Sequence, residues 1–376
     1  MPINISFLCA FSWTTLLYVI LAFAVLLLMV LIHELGHYVA GRLLKFKIEE
    51  FSVGFGKAIF SRTNKRGEKI SLRIFPLGGY CAFAGENEQG DGKDPHAFCN
   101  QKPWKRIIVL FMGAFFNFLS AIIFSFILLL AFGYDIRQVQ AVPAQLDCYV
   151  LVGQEYEPTT VENINANNAN FLQAGDVIYY VNGNKMDFAF GDTLENALAN
   201  ADKTKPVTFG VVDANGKEQT RTANFNVTTD SSGNKVYQMG FTYHNYKHSF
   251  VQALARCVPF AVGLAWLVLK CLWLLITFQL PISSIGGPVT TIATIATMTQ
   301  QNIASLFVLL PLISANLAAF NLLPFPALDG AQIVFTSIEW IRRKPLNKKI
   351  QNAINTAGLF ILFGFVIVVD ILHFVL

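Results

Sequence analysis

Residues 13–41 read "WTTLLYVILAFAVLLLMVLIHELGHYVAG", a mostly apolar stretch, Trp13–Ile32, that runs without a break into two histidines and a glutamate. About 20 apolar residues suffice to cross a bilayer core as a helix. The whole chain agrees with that reading: 54% of its 376 residues are hydrophobic and 14% are charged, against about a quarter charged in a soluble domain. Ionisable side chains at membrane depth are costly and mark function by default. One stretch therefore indicates an α-helical integral membrane protein and shows where its chemistry lies.

Working outward, Ile107–Phe132 and Thr356–Leu376 pass the same length test, and so does Ile303–Leu323, although Asn316 and Asn321 interrupt it. About four transmembrane helices are expected. No basic residue precedes the first segment and no small-x-small cleavage site follows before His33, so it is expected to stay attached. The six cysteines (9, 81, 99, 148, 257, 271) form no CxxC pair, which argues against a disulfide framework or a cysteine zinc site.

Charge assigns sides. Arg42–Arg106 carries thirteen Lys/Arg against seven Asp/Glu, whereas 133–250 carries eight against thirteen. The loop "RRKPLNKK" at 342–349 adds five basic residues and no acid. The positive-inside rule places the first block and this loop in the cytoplasm and the acidic block outside. If the apolar stretch Cys257–Leu280 also crossed, parity would put the 342–349 loop outside. This stretch, with Arg256 and Lys270 in or beside it, is therefore expected to form an interfacial helix pair or a re-entrant segment. The resulting organisation is 1–132 with two spans and a hairpin region at about 48–85, 135–246 as an outer domain, 250–302 interfacial, and 303–376 with two more spans.

Within the acidic block, "NFLQAGDVIYYVNGNKM" (170–186) combines an alternating strand with a tight turn at Asn182-Gly183. A helix-like stretch at 192–201 and a strand at 206–212 follow. The order resembles a circularly permuted PDZ domain.

The histidines of HELGH stand four residues apart, which sets His33 and His37 on one helix face, able to meet one metal ion, with Glu34 beside them. A catalytic zinc site requires a third protein ligand and one open position. Asp329 is the carboxylate in a cytoplasmic-side apolar stretch, "NLLPFPALDGAQIVF" (321–335), where Pro324 and Pro326 bend the chain and Gly330 permits close approach. Only the fold can join Asp329 to His37; the alternative is a helix N-cap after a proline kink.

His-Glu-x-x-His at the end of a first span, with Asn-x-x-Pro-x-Pro-x-Leu-Asp-Gly near the end of a later one, resembles the site-2 protease family of intramembrane zinc metalloproteases, in its bacterial RseP-type branch. "FSVGFGKAIF" with "SLRIFPLGGYCAF" is similar to that branch's membrane-associated β-hairpin, "NQKPWKRIIVLFMGAFFNFLSA" to its second span, and "ISSIGGPV" to its Gly-Pro segment. The resemblance implies Zn²⁺ held by His33, His37 and Asp329, with Glu34 as general base and Asn321 as a substrate anchor. Pro324, Pro326, Gly54 and Gly56 are further substrate-binding candidates, each with an ordinary role in a bend or turn as its alternative. It also implies single-span membrane protein substrates, of the anti-sigma-factor or remnant-signal-peptide type and pre-cleaved by another protease, in the bacterial cytoplasmic membrane. The lipid bilayer is the other expected partner, and nucleic acid is not one.

A spanning helix resists proteolysis because its backbone groups are already paired. The strand patterns around Phe51–Phe60 and Ile70–Phe75 could hold a substrate by strand addition or could be purely structural. The outer domain could bind a carboxyl end or obstruct bulky substrates; obstruction is the favoured expectation. Two rival functions are a zinc protease acting at the cytoplasmic face, with Glu49, Glu50 or Glu68 as third ligand, and a non-enzymatic PDZ adaptor. A structural metal site has no use for the base Glu34.

Overall fold

The computed structural model describes residues 13–86, 88, 93–133, 136–152, 155–186, 193–229, 235–280 and 286–375. The chain divides into two compact units, Met1–Ser125 with Leu264–Leu376, and Phe126–Gly263.

In the first unit, helix α1 (Trp13–Leu43) contains the whole opening stretch and continues through HELGH. It stops where Lys45 takes a left-handed conformation (φ 64°) and the Phe46 amide returns to the Gly41 carbonyl at 2.8 Å. Strands β1 (Ile48–Thr63) and β2 (Lys69–Phe83) form an antiparallel hairpin. Its root is a cluster of Phe46, Ile48, Phe83 and Phe98 packed on Ala40 of α1 and on Val109 and Leu110 of helix α2 (Pro103–Ala131). α2 runs antiparallel to α1, and the contact is close: a Cβ on Gly36 would overlap the Met112 carbonyl, and one on Gly113 would overlap the His37 ring. Small residues permit this helix approach.

Further along the chain, this unit contains α5 (Pro288–Gln301), α6 (Ser305–Asn321), α7 (Asp329–Arg342) and α8 (Lys348–Val375). α6 lies parallel to α1, with Leu309 clustered with Ala22, and Leu310 with Val25 and Met29. The turn that follows therefore arrives beside HELGH. α8 runs the other way. Gly358 packs on Pro326, and Asp370 accepts from the Thr290 amide at 3.1 Å and its hydroxyl at 2.8 Å at the start of α5. A buried carboxylate at a helix N-terminus satisfies orphan donors and complements the dipole.

Among the described residues, four helices are long and apolar enough to cross a membrane: Trp13–Leu43, Pro103–Ala131, Phe250–Ile276 and Lys348–Leu372. The number agrees with expectation, but the membership does not. The expected interfacial pair is one continuous helix, α4 (Phe250–Ile276), that carries Pro259 in its interior. Conversely, α6 has 17 residues, about 25 Å of helix. Apolar length is readable from sequence; continuity past a proline, tolerated where neighbours satisfy the freed carbonyl, is not. Of the expected Gly-Pro segment, Gly286–Val289 open α5, and 282–285 lie outside the described residues.

The second unit is built on an antiparallel sheet ordered β12 (Thr242–Asn245), β3 (Arg137–Ala141), β6 (Val177–Val181), β8 (Val207–Val212), β9 (Glu218–Ala223), with β7 (Asn184–Lys185) on β6. Two pairs stand off it: β4 (Gln145–Val152) with β5 (Glu155–Glu162), and β10 (Asn226–Thr229) with β11 (Lys235–Gln238). Asn182 and Gly183, at φ 49° and 79°, make the tight turn. Helix α3 (Leu194–Asn200) is capped by the Thr193 hydroxyl, which accepts from the Asn196 amide. Its Leu194 joins Phe171, Ile178, Val181, Phe209 and Val211 in the core.

Candidate metal centre

α1 presents His33 and His37 on one face, both buried. Asp329 is the first residue of α7, and its N-cap is Leu328, so the carboxylate is not itself a cap. The turn before it contains Pro324 and Pro326 and forces Ala327 to φ 77°. A Cβ on Gly330 would overlap the Leu323 carbonyl, so this turn can fold back only on glycine. Asp329 Oδ2 lies 3.0 Å from His33 Nε2 and 3.3 Å from His37 Nε2, and the two Nε2 atoms are 3.1 Å apart.

These separations fit a shared cation. Donors at zinc–nitrogen and zinc–oxygen bond lengths around a tetrahedral ion lie about 3.3 Å from one another. The donor set also suits an ion better than hydrogen bonding. His37 Nδ1–H donates to the Val109 carbonyl at 2.8 Å, which leaves Nε2 as a lone pair directed at the cluster. Asp329 Oδ2, itself shielded from solvent, has no hydrogen-bond partner. Among the described residues, His33, His37 and Asp329 form the one group of three or more such side chains able to hold a metal.

The outer layer includes a residue the motifs did not assign. Asn117 of α2, fully buried, brings its amide to 3.4 Å from His33 Nδ1, and Asn321 brings its own to 3.2 Å. A His33 bound through Nε2 carries a proton on Nδ1 and requires an acceptor. Amide oxygen and nitrogen are interchangeable in such assignments, and the Asn117 Oδ1 is otherwise unpaired. The signal in sequence was a lone asparagine in "AFFNFLSA". Asn321 thus sits at the site, against His33.

Glu34 stands within electrostatic reach of both histidines and Asp329, and the backbone of Cys81 hydrogen-bonds it. A Cβ on Gly79 would come within 3.4 Å of Glu34 Cγ, so β2 passes alongside the glutamate. One residue ties the hairpin to α1, and an ion pair joins its two strands. Glu68, buried, accepts from the Tyr38 hydroxyl at 3.0 Å and from Arg42 at 3.3 Å, both on α1. Glu50 pairs with Arg73 at 2.8 Å. Burial by itself raises the Glu50 pKa, but hydrogen bonds from Ser71, Arg73 and Tyr80 outweigh it and hold the carboxyl below its usual range. The rival third ligands are thereby occupied elsewhere, and Glu49 is exposed.

The remaining candidates stay out of the cluster. Pro324 is exposed in the turn, and Pro326 packs against Gly358. Gly54 and Gly56 sit in β1 at φ 87° and 85°, facing Phe75, where the hairpin register shifts.

Residues 21–365 match the family model described as Peptidase family M50. The chain belongs to that family. A candidate zinc metalloprotease of Clostridium perfringens is 30% identical over 94% of this chain and 98% of its own length. One from Nostoc is 31% identical over 92% and 93%, and one from Fusobacterium nucleatum 26% over 94% and 97%. This M50 protein is a multi-pass membrane zinc metalloprotease, in agreement with the site-2 protease motifs.

Proposed function

We propose that this M50 peptidase is an intramembrane endopeptidase that cuts the membrane segments of single-span proteins in regulated proteolysis, with His33, His37 and Asp329 holding the zinc and Glu34 as general base. The observation that carries this reading is the convergence of the three ligand atoms at one end of an apolar helix of 31 residues. When bound, zinc lowers the pKa of a coordinated water to about 7 and polarises the scissile carbonyl. Glu34 takes the proton of the attacking water and returns it to the leaving amine. Val109, Asn117 and Asn321 keep both imidazoles oriented. β2, alongside Glu34, offers the backbone on which an unwound substrate is held extended.

Charge supports a cytoplasmic-side site. The alternation of α1, α2, α6 and α8 is compatible with it, because HELGH, the start of α2, the Asp329 turn and the 342–349 loop share one end. The strand–turn–helix order of residues 177–212 supports a PDZ-like outer domain, which we assign to excluding bulky substrates. Glu34→Gln is expected to retain zinc and to lose cleavage of a co-expressed single-span reporter by 10²–10⁴-fold. Cleavage at the parent rate would reject the mechanism.

A further inference from the structure

Resting on Asp329 as the third ligand, we infer that Arg106 and Glu339 are positioning residues that hold α7, and with it Asp329, in register with the histidine pair. Arg106 Nη1 donates to Glu339 Oε2 at 2.8 Å, and the two side chains are 8% and 5% exposed. The pair spans 233 residues of sequence. Arg106 also reaches the Thr336 hydroxyl at 3.5 Å and lies over the Phe98 ring. The other Glu339 oxygen accepts from the Leu346 amide at 3.0 Å and from Gln351 at 3.2 Å. Glu339 therefore joins α7 to α2, to the following loop and to α8.

The geometry explains why register depends on this pair. α7 has 14 residues, with Asp329 at its first position and Glu339 ten residues on, about 15 Å apart. Its N-terminal approach is a turn with two prolines and a left-handed alanine, which fixes direction but not rotation. A one-residue slip rotates a helix by about 100° and would carry the carboxylate off the ion. Arg106 lies one turn before Val109, the carbonyl that orients His37. One short stretch of α2 thus serves as the template for both an imidazole and the distant carboxylate. Compared with a well-packed apolar pair, a buried ion pair adds little stability, so the gain here is in placement.

The experiment measures zinc affinity by chelator competition and the visible absorption of the cobalt-substituted protein, both on the full chain in detergent. Arg106→Lys keeps the charge and loses the fork; Glu339→Gln keeps an oxygen for Leu346 and loses the charge. Each variant that yields monodisperse protein is expected to bind zinc about tenfold more weakly and to show an altered cobalt spectrum, with Arg106→Lys closer to the parent than Arg106→Gln. Parent-like affinity and spectrum in either variant would overturn the inference. Asp329→Ala is the control: unchanged zinc affinity there refutes the ligand assignment itself. Loss there with parent-like Arg106→Lys refutes only the positioning role.

Discussion

Both units bury asparagines, and the two sets behave in opposite ways. In the sheet unit, Asn163 donates to the Pro143 and Gly240 carbonyls, Asn165 donates to those of Asn224 and Met239, and the Asn226 side-chain oxygen accepts from the Ile164 amide. That network closes on the backbone and fixes loops. In the helical unit, Asn117 and Asn321 both turn their amides to one imidazole, and Asp329 Oδ2 beside it is left without a hydrogen bond. Buried polar groups that satisfy each other specify a fold. Those that converge with atoms to spare specify a ligand.

This contrast can be tested in descending order of effect. Gly113→Leu drives a side chain into the space of the His37 ring, and zinc affinity is expected to fall by more than a hundredfold, read by metal content after dialysis. Asn117→Leu removes an acceptor for His33, and the expected loss is 10- to 100-fold by chelator competition. Asn165→Ala should leave zinc binding at the parent value and lower the opening free energy of the sheet unit by about 1–3 kcal/mol, measured by hydrogen exchange on the intact chain. Thr193→Ala, which removes the cap of α3, should cost about 1 kcal/mol in the same measurement. A zinc defect in Asn165→Ala, or none in Asn117→Leu, would erase the distinction between the two networks.

How much of this was legible in sequence follows the range of each interaction. HELGH was readable because its geometry is local, four residues on one helix. Asp329 was readable by its chemistry, as a carboxylate in an apolar stretch, although its contact with His33 spans 296 residues. Asn117 was visible only as a lone asparagine in an apolar run, since nothing local indicates that it faces a histidine 84 residues away. Asp370 lies towards the other end of α8 from Gly358, which packs on Pro326 of the site's turn. That position suits its observed place at the start of α5, a contact across 80 residues. The strands of the sheet unit were visible through alternation and the Asn-Gly turn. The hairpin's irregular register was not, because Gly54 and Gly56 permit the shifts without specifying them. The continuity of 250–276 was not legible, because parity constrains the number of crossings and says nothing about whether one apolar helix continues past Pro259.

The most direct measurement is X-ray absorption at the zinc edge on the purified parent and on Asp329→Ala. The account expects one ion per parent chain, with two imidazole nitrogens and a carboxylate oxygen among its neighbours, and loss of that oxygen together with most of the bound metal in the variant. A fully loaded Asp329→Ala protein with an unchanged spectrum would contradict it.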